Sequence, residues 1–543
     1  MNPEHFASGH AAAALSWVGA GLMLVLLGWS LARSVARAGV HSPIALLVDA
    51  LLPLLAFLFL SAATARPVFA GAVTLALASG FAFSDGRKRQ TLNEPIVVSD
   101  VFLAFDIFRH PNLALPFPDT ARMVGGVGIA VAAFVALFAF EPAAWPWSPW
   151  PLVGTVALIA AVSWALAGPL NAWVARMLRR LQPSGDPVRD GAQLGPLATL
   201  LIYGIVARAE RTTRRMPAAP HVNGVCKANR ASRSPVVLVQ CESFFDVRRV
   251  HPSVRKDLLP NLDRCRNSGV QWGRLAVPCW GANTVRTEFA VLTSLPEAAI
   301  GFDKFNPYQG FARAPVASLA WQMRSEGYRT VCVHPFDRRF YGRDQVMRNL
   351  GFDEFLGEEV FDGAQRVGSY VADVEVARFA ARLLKEREPN LFVFIVTIEN
   401  HGPWPQNGIT NGITNGIDHP DETADLWRAL VVPEAERGAF KGFLQGVRNA
   451  DAMLGMLTHA MDSTAPSGLL AMYGDHLPSF PKTFQRMGFH DNRSDYLLWR
   501  TGNGLGVRRD LAAHDLARTI LEARAAPTIP EQAYGGLRQA AAG

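Results

Sequence analysis

Apolar and polar positions divide the chain into two regimes. Through roughly the first 180 residues Ala, Leu, Val and Phe dominate. Five apolar runs there, at 11–32, 43–65, 68–84, 123–140 and 151–172, are each long enough, or nearly so, to cross a hydrocarbon core as a helix. Five spans are therefore expected. The first run is not read as a cleavable signal peptide, because no basic segment precedes it and further apolar runs follow. A sixth run, at 194–207, is too short to span and is expected in the interface, as is the polar-apolar segment NEPIVVSDVFLAFD at 93–106, which is expected to lie flat on the bilayer. From about residue 235 the pattern changes to short apolar runs alternating with longer helical stretches, which predicts an α/β domain with a mainly parallel sheet. Strands are expected at 236–240, 330–333, 391–398 and 469–473, and helices at 316–326, 371–386 and 434–461.

Length agrees with more than one unit, since 543 residues exceed what a single hydrophobic core serves. The expected organisation is a membrane domain over 1–180, a basic juxtamembrane linker over 181–234, a soluble catalytic domain over 235–530 and a tail over 531–543. The net charge of +7 does not point to nucleic acid, because no stretch interleaves basic residues with aromatics. The basic residues gather instead between Arg176 and Arg233, beside the apolar runs, where they suit anionic lipid head groups or simply a solvated linker. Five cysteines, Cys226, Cys241, Cys265, Cys279 and Cys332, all fall in the soluble part without the paired spacing of a zinc site. One or two disulfides, or buried thiols, both fit. Orientation is contested within the sequence. An odd number of spans with the amino terminus inside puts the soluble domain outside, yet Arg33, Arg37, Arg87, Arg89 and the cluster after Arg176 would then lie outside as well, against the positive-inside tendency.

In such sheets ligands gather beyond the carboxyl ends of the strands. There the run at 236–240 leads into Cys241-Glu242-Ser243, that at 391–398 into Glu399-Asn400-His401, that at 469–473 into Gly474-Asp475-His476, and that at 330–333 into His334. Any one of these could be an ordinary loop residue. Carboxylates and imidazoles arriving from several strand ends, without Cys pairs, suit one divalent metal such as Mn²⁺ or Zn²⁺. Such an ion lowers the pKa of a hydroxyl and offsets charge on a phosphoryl oxygen, so a hydroxyl nucleophile is sought.

Five segments, VVLVQCESFFD at 236–246, GANTVRTEF at 281–289, HPFDRRFYGRD at 334–344, VTIENHGPW at 396–404 and YGDHLPS at 473–479, occur in the order seen in lipoteichoic acid synthases, and also resemble the phosphoglycerol transferases that decorate periplasmic glucans. These are sulfatase-like members of the alkaline-phosphatase superfamily. The resemblance spans roughly 100–496, and the EP…SD segment at 94–100 agrees with it. It implies that Glu242, Thr284, Asp475 and His476 hold the metal, that Thr284 is the catalytic nucleophile that becomes phosphorylated, and that His334, Tyr341, Arg343 and His401 line the substrate pocket. Arg343 is expected to fork onto a phosphate oxygen. The implied reaction is metal-dependent transfer of phosphoglycerol from a phosphatidylglycerol-like membrane lipid to a glycan, polyglycerolphosphate or lipid acceptor through a phosphothreonine-type intermediate. It implies a multi-pass protein of the inner membrane with the catalytic domain on the periplasmic or extracellular side.

Tyr341 stands where the family usually has Trp, which bears on head-group or acceptor preference. The repeat NGITNGITNGID at 407–418 reads as a flexible, turn-rich insertion without chemistry. A sulfuric ester hydrolase on the same fold is disfavoured, because Cys279-Trp280-Gly281-Ala282-Asn283 lacks the Pro and Arg that follow a sulfatase nucleophile. A phosphoethanolamine transferase is a nearer alternative, since it too uses Thr. A non-catalytic lipid-sensing membrane protein has no physical need for Thr284 beside a complete ligand set.

Overall fold

The computed structural model describes residues 3–101, 120–214, 234–386, 390–404, 432–465, 467–501 and 506–526. They fall into two compact units, one ending at Arg214 and the other containing everything from Ser234 onward. Cys226 and the repeat at 407–418 lie outside the described residues.

The first unit is helical: α1 (Pro3–Ala36), α2 (Pro43–Thr64), α3 (Pro67–Leu92), α4 (Thr120–Phe140), α5 (Pro149–Ala167), α6 (Asn171–Arg179), α7 (Pro187–Leu194) and α8 (Pro196–Thr213). At least four of these helices are long and apolar enough to cross a bilayer, and α4 contributes a shorter apolar stretch. Helices α1 and α3 run together closely because glycines face each other: a Cβ on Gly71 would sit 2.4 Å from the Gly21 carbonyl oxygen.

Polar side chains collect at the two ends of the bundle, where backbone groups would otherwise be left without partners in an apolar medium. At one end Glu141 accepts from the Val68 and Phe69 amides at 2.8 and 2.6 Å and so caps α3. At the other end Asp49 on α2 is fully buried and accepts from Arg33 at 2.8 Å, from the Trp29 indole at 2.8 Å, and from the Leu197 and Ala198 amides at 2.9 and 2.8 Å. That carboxylate anchors the amino terminus of α8, a favourable place for negative charge.

Helix α8 then lies across this end of the bundle. Gly204 faces Val98, the Ile205 carbonyl accepts from Asn171, and Arg208 donates to the Ala167 carbonyl. The expected interfacial run and the 181–214 part of the expected linker are therefore folded into the unit, with α7 and α8 meeting at a bend of 118°. Two buried acids, Asp49 and Asp190, make this packing affordable in polar terms, Asp190 by accepting from Ser184, Gly185 and Tyr203. The 93–101 part of the segment expected flat on the bilayer is likewise tucked in. Lys88 binds Glu94, the Pro95 carbonyl and Asp100, Asp85 accepts from the Ile96 amide, and Val97 is fully buried.

In the second unit the elements that frame the site are β1 (Val236–Cys241), α9 (Pro260–Ser268), β2 (Gln271–Ala276), α10 (Thr284–Thr293), α11 (Leu319–Ser325), β3 (Arg329–Val333), α12 (Arg343–Asn349), β4 (Glu354–Leu356), α13 (Asp373–Lys385), β5 (Leu391–Val396), α14 (Glu434–Thr464), β6 (Leu469–Gly474), β7 (Ser494–Trp499), β8 (Val507–Arg508), β9 (Leu511–Ala512) and α15 (Leu516–Ala525). The sheet order is β8-β2-β7-β6-β1-β5-β3-β4, with β9 also on β2; β7 runs antiparallel to both its neighbours and every other pairing is parallel. This is the expected α/β architecture.

Residues of β1 and β5 are buried on both faces, as central parallel strands require. Val237, Val239, Val393 and Ile395 pack with α9, α13 and α14 on one side, while Val236, Leu238, Phe392 and Phe394 pack with α10, α11 and α15 on the other. The four described cysteines are all free thiols.

Replacing Asp49 tests the polar end of the helical unit. Asp49→Ala leaves the buried Arg33 guanidinium without its counter-charge and three N–H donors without their acceptor, so it is expected to cost about 3–5 kcal/mol and to lower the melting temperature of detergent-solubilised protein by several degrees; an unchanged melting curve would refute this reading of the contact.

Candidate metal and phosphoryl-transfer site

The pairing of β1 with β6 sets the site. Their parallel register matches Gln240 with Tyr473 and Cys241 with Gly474, so Glu242 and Asp475 leave the sheet side by side. Gly474 is required by the closeness of this junction: a Cβ there would lie 1.7 Å from the Phe244 carbonyl oxygen, which is backbone and cannot swing away. The Glu242, Asp475 and His476 ligand atoms lie within 4.8 Å of one another, all three residues buried.

Their hydrogen bonds leave the metal-binding lone pairs free. Asp475 Oδ1 accepts from the Ser243 and His476 amides, both at 2.8 Å, while Oδ2 is buried without a hydrogen-bond partner. His476 Nδ1 lies 3.0 Å from the Leu477 carbonyl, which can only accept, so Nδ1 donates there and Nε2 is the ring nitrogen turned to the carboxylates. That nitrogen stands 3.3 Å from Asp475 Oδ2 and 3.7 Å from Glu242 Oε1. Burial, then the Asp475 charge, push the Glu242 carboxyl up to about 8. An unpartnered buried oxygen beside a second carboxylate and an imidazole nitrogen fits a divalent cation.

Thr284 opens α10 and is half-buried. One turn later Thr287 Oγ1 of the same helix donates to the Asp475 carbonyl at 2.7 Å, and just ahead of the helix the Gly281 amide donates to the Leu477 carbonyl at 2.9 Å. Residues 284 and 287 share a helix face. The chain enters α10 through Asn283 in a left-handed conformation, and no side chain caps its first turn.

His334 is buried, and its Nδ1 donates to the Val396 carbonyl at 2.9 Å. Burial, with the Arg343 charge beside it, push His334 down to about 3, and burial also lowers His401, so both rings are neutral at physiological pH. Tyr341 has a left-handed backbone, and its ring lies 5.4 Å from the Arg343 guanidinium carbon. Arg343 is where the structure departs from the expected fork: its Nε and Nη2 grip Glu288 at 3.3 and 2.9 Å, with both side chains buried. The Nε–Nη2 edge of the guanidinium thus faces protein.

Asp373, Tyr370 and Glu288 escaped the sequence as site residues, whereas Glu399 was expected at its strand end. Asp373, at the start of α13, is buried with both oxygens unpartnered, and burial plus Glu399 and Glu242 hold it well above the ordinary carboxylate range. Glu399 accepts from the Asp373 amide, and burial pushes it up to about 7. The Tyr370 hydroxyl, also unpartnered, belongs to a ring 5.8 Å from His401. A lone Asp, Glu or Tyr carries no local signal; only Glu288, one helical turn beyond Thr284, had spacing that could have drawn notice.

Metal affinity should depend on pH with a definite sign. Below about pH 8 Glu242 carries a proton in the empty site, which a cation must displace, so affinity for Mn²⁺ is expected to fall by up to about tenfold per unit as pH drops from 8 towards 6. Calorimetric titrations giving a flat affinity over that interval would contradict it.

Comparison with known proteins agrees with this architecture. The model of the sulfatase family matches residues 234–524, more than half of the chain. A capsular polysaccharide biosynthesis protein, RkpI, of Rhizobium meliloti (strain 1021) is 30% identical over 472 residues, covering 82% of this chain and 80% of that protein. A putative cyclic beta-1,2-glucan modification protein of the same organism is 30% identical over 277 residues, 51% of this chain and 40% of that protein. Among solved structures, the lipoteichoic acid synthase LtaP from Listeria monocytogenes aligns with a TM-score of 0.42 at 19% identity, covering 59% of this chain and 78% of that one. The Streptococcus pyogenes phosphoglycerol transferase GacH, in complex with sn-glycerol-1-phosphate, aligns with a TM-score of 0.43 at 22% identity and the same coverage. The extent of the family match and the near full-length relative together show that this chain belongs to the sulfatase family.

Proposed function

We propose that the protein transfers a phosphoglycerol group from a phosphatidylglycerol-like lipid to a hydroxyl of a cell-envelope glycan, with Thr284 as the covalent carrier. The observation that carries this reading is the convergence of Glu242, Asp475 and His476 around an unpartnered Asp475 oxygen, with the helix that Thr284 begins docked on the same backbone. The apolar helices of the first unit support it, because a lipid donor is confined to the bilayer. The 30% identical relative over most of the chain, a capsular polysaccharide biosynthesis protein, supports a glycan as acceptor over a lipid.

Glu242, Asp475 and His476, with the Thr284 hydroxyl, would hold one divalent ion, Mn²⁺ or Zn²⁺. When bound, such an ion favours the ionised hydroxyl and offsets negative charge on the phosphoryl oxygens. In the first displacement Thr284 Oγ forms a bond to phosphorus, the bond from phosphorus to the diacylglycerol oxygen breaks, and the proton lost by the threonine is matched by one gained by the departing alcohol. The acceptor hydroxyl then attacks the glycerophosphoryl-threonine, and Thr284 is regenerated. His334 and His401, being neutral, can accept a proton or bind glycerol hydroxyls through a free ring nitrogen. The open first turn of α10 offers N–H donors to phosphoryl oxygens.

The same reading puts the catalytic unit on the outer face of the membrane. The chain leaves the helical unit at Arg214, at the end that also holds residues 33–49 and 85–100. Many cations at this end are engaged by acids: Arg33 by Asp49, Lys88 by Glu94 and Asp100, Arg89 by Asp85, and Arg179 by Glu210. Their number therefore overstates the free positive charge facing that side.

Mass spectrometry tests the reaction. Full-length protein given Mn²⁺ and phosphatidylglycerol vesicles is expected to carry a glycerophosphoryl adduct on Thr284, absent from Thr284→Ala; an adduct seen only with phosphatidylethanolamine would move the protein to the phosphoethanolamine transferases, and none with either lipid would remove the proposal. For orientation, an alkaline phosphatase reporter joined after Gly543 is expected to be active in cells, and a silent reporter with an active cytoplasmic one would reverse the assignment.

A further inference from the structure

Glu288 is four residues beyond Thr284 on α10, on the same helix face, and is fully buried. No ligand role or substrate contact explains a carboxylate there. Its partners do. One oxygen accepts from Tyr308 and from Arg343 Nε at 3.3 Å; the other accepts from Arg343 Nη2 at 2.9 Å and from Gln240 Nε2 at 3.1 Å. Gln240 in turn accepts from the Tyr473 hydroxyl. Gln240 and Tyr473 are register partners on β1 and β6, two residues before Glu242 and Asp475. A single hydrogen-bonded layer beneath the metal ligands thus ends on Arg343.

Arg343 is also nearly fully buried and tightly bounded. The Tyr341 ring lies beside its guanidinium, and its charge is felt by both Glu242 and His334. With the Nε–Nη2 edge held by Glu288, Nη1 is the nitrogen with no protein acceptor among the described residues. A bidentate pair fixes the plane of a guanidinium as well as its position.

We infer that Glu288 is a positioning residue for the phosphoryl-transfer reaction: it holds Arg343 so that Nη1 meets a phosphoryl oxygen of the group passing through Thr284. The inference rests on the proposed function and deepens it. Because nucleophile and positioning carboxylate are one turn apart on the same helix, α10 fixes the distance between the attacked phosphorus and the cation that receives its charge. Glu288 also keeps a buried guanidinium paired, which burial alone would not tolerate. The arginine therefore contributes direction to a local region of near-zero added net charge, which favours the transition state over tight retention of the ground-state diester.

A double-mutant cycle on the full-length protein tests this, with the rate of Thr284 adduct formation from phosphatidylglycerol vesicles as readout and bound Mn²⁺ measured alongside. Glu288→Gln keeps the shape and is expected to lower kcat by about 30-fold or more while KM for the lipid and the metal content stay within about threefold. Arg343→Met is expected to lower kcat similarly, and adding Glu288→Gln to Arg343→Met is expected to change it by less than about threefold, since Glu288 acts through Arg343. Wild-type kcat in Glu288→Gln, or losses that multiply in the double variant, would overturn the inference and leave the proposed function standing. Should Glu288→Gln alone fail to fold, Glu288→Asp decides: it keeps a negative charge opposite Arg343 but withdraws it by one methylene, so kcat is expected to fall with metal content unchanged, and wild-type kcat in it would overturn the inference. A wild-type protein that forms no adduct overturns the function, and the inference with it.

Discussion

Everything at the site depends on the in-register parallel pairing of β1 with β6. That pairing places Glu242 beside Asp475 at the sheet's carboxyl edge, and Asp475 locks it by accepting from the Ser243 amide across the junction. Gly474 permits the close approach. A slip of one residue would turn Glu242 and Asp475 to opposite faces and dissolve the ligand set. Thr287 on α10 and Gly281 just ahead of it bind the Asp475 and Leu477 carbonyls, which adds Thr284, the proposed nucleophile, to the frame that holds the proposed ligands.

The helical unit solves a different problem with similar means. Among the described residues, its buried acids terminate helices and pair cations at the ends of the bundle, where an unpaired donor would be expensive. Asp49 illustrates the economy of this arrangement by holding α1, α2 and α8 through one carboxylate. The same pairing bears on topology, since cations already matched by acids are weak guides to which face meets the cytoplasm.

What could be read from the chain was what periodicity reports. The strands at Val236–Cys241, Arg329–Val333, Leu391–Val396 and Leu469–Gly474 are continuous apolar runs and were expected within a residue or two, together with the polar residues at their ends. The strands Gln271–Ala276 and Ser494–Trp499 were not, because they carry Arg274 and Asp495. Asp495 is nearly fully buried, which its partners Arg249, Arg266 and the Asp246 amide allow, and those partners are more than 200 residues away in the chain. The same distance hides Asp49, whose amide partners lie 148 and 149 residues downstream. Arg343 was expected to face phosphate because the family resemblance puts it in the pocket; that a buried Glu288 holds its Nε–Nη2 edge could not be read from the chain. Pairwise contacts between remote residues leave no trace in local pattern.

The most direct test is a structure of the full-length protein loaded with Mn²⁺, with the ion located by its anomalous scattering. One ion is expected about 2 Å from a Glu242 oxygen, Asp475 Oδ2, His476 Nε2 and the Thr284 hydroxyl oxygen. An ion bound elsewhere, or one held by the three other residues with Thr284 well outside coordination distance, would contradict a threonine-centred phosphoryl transfer.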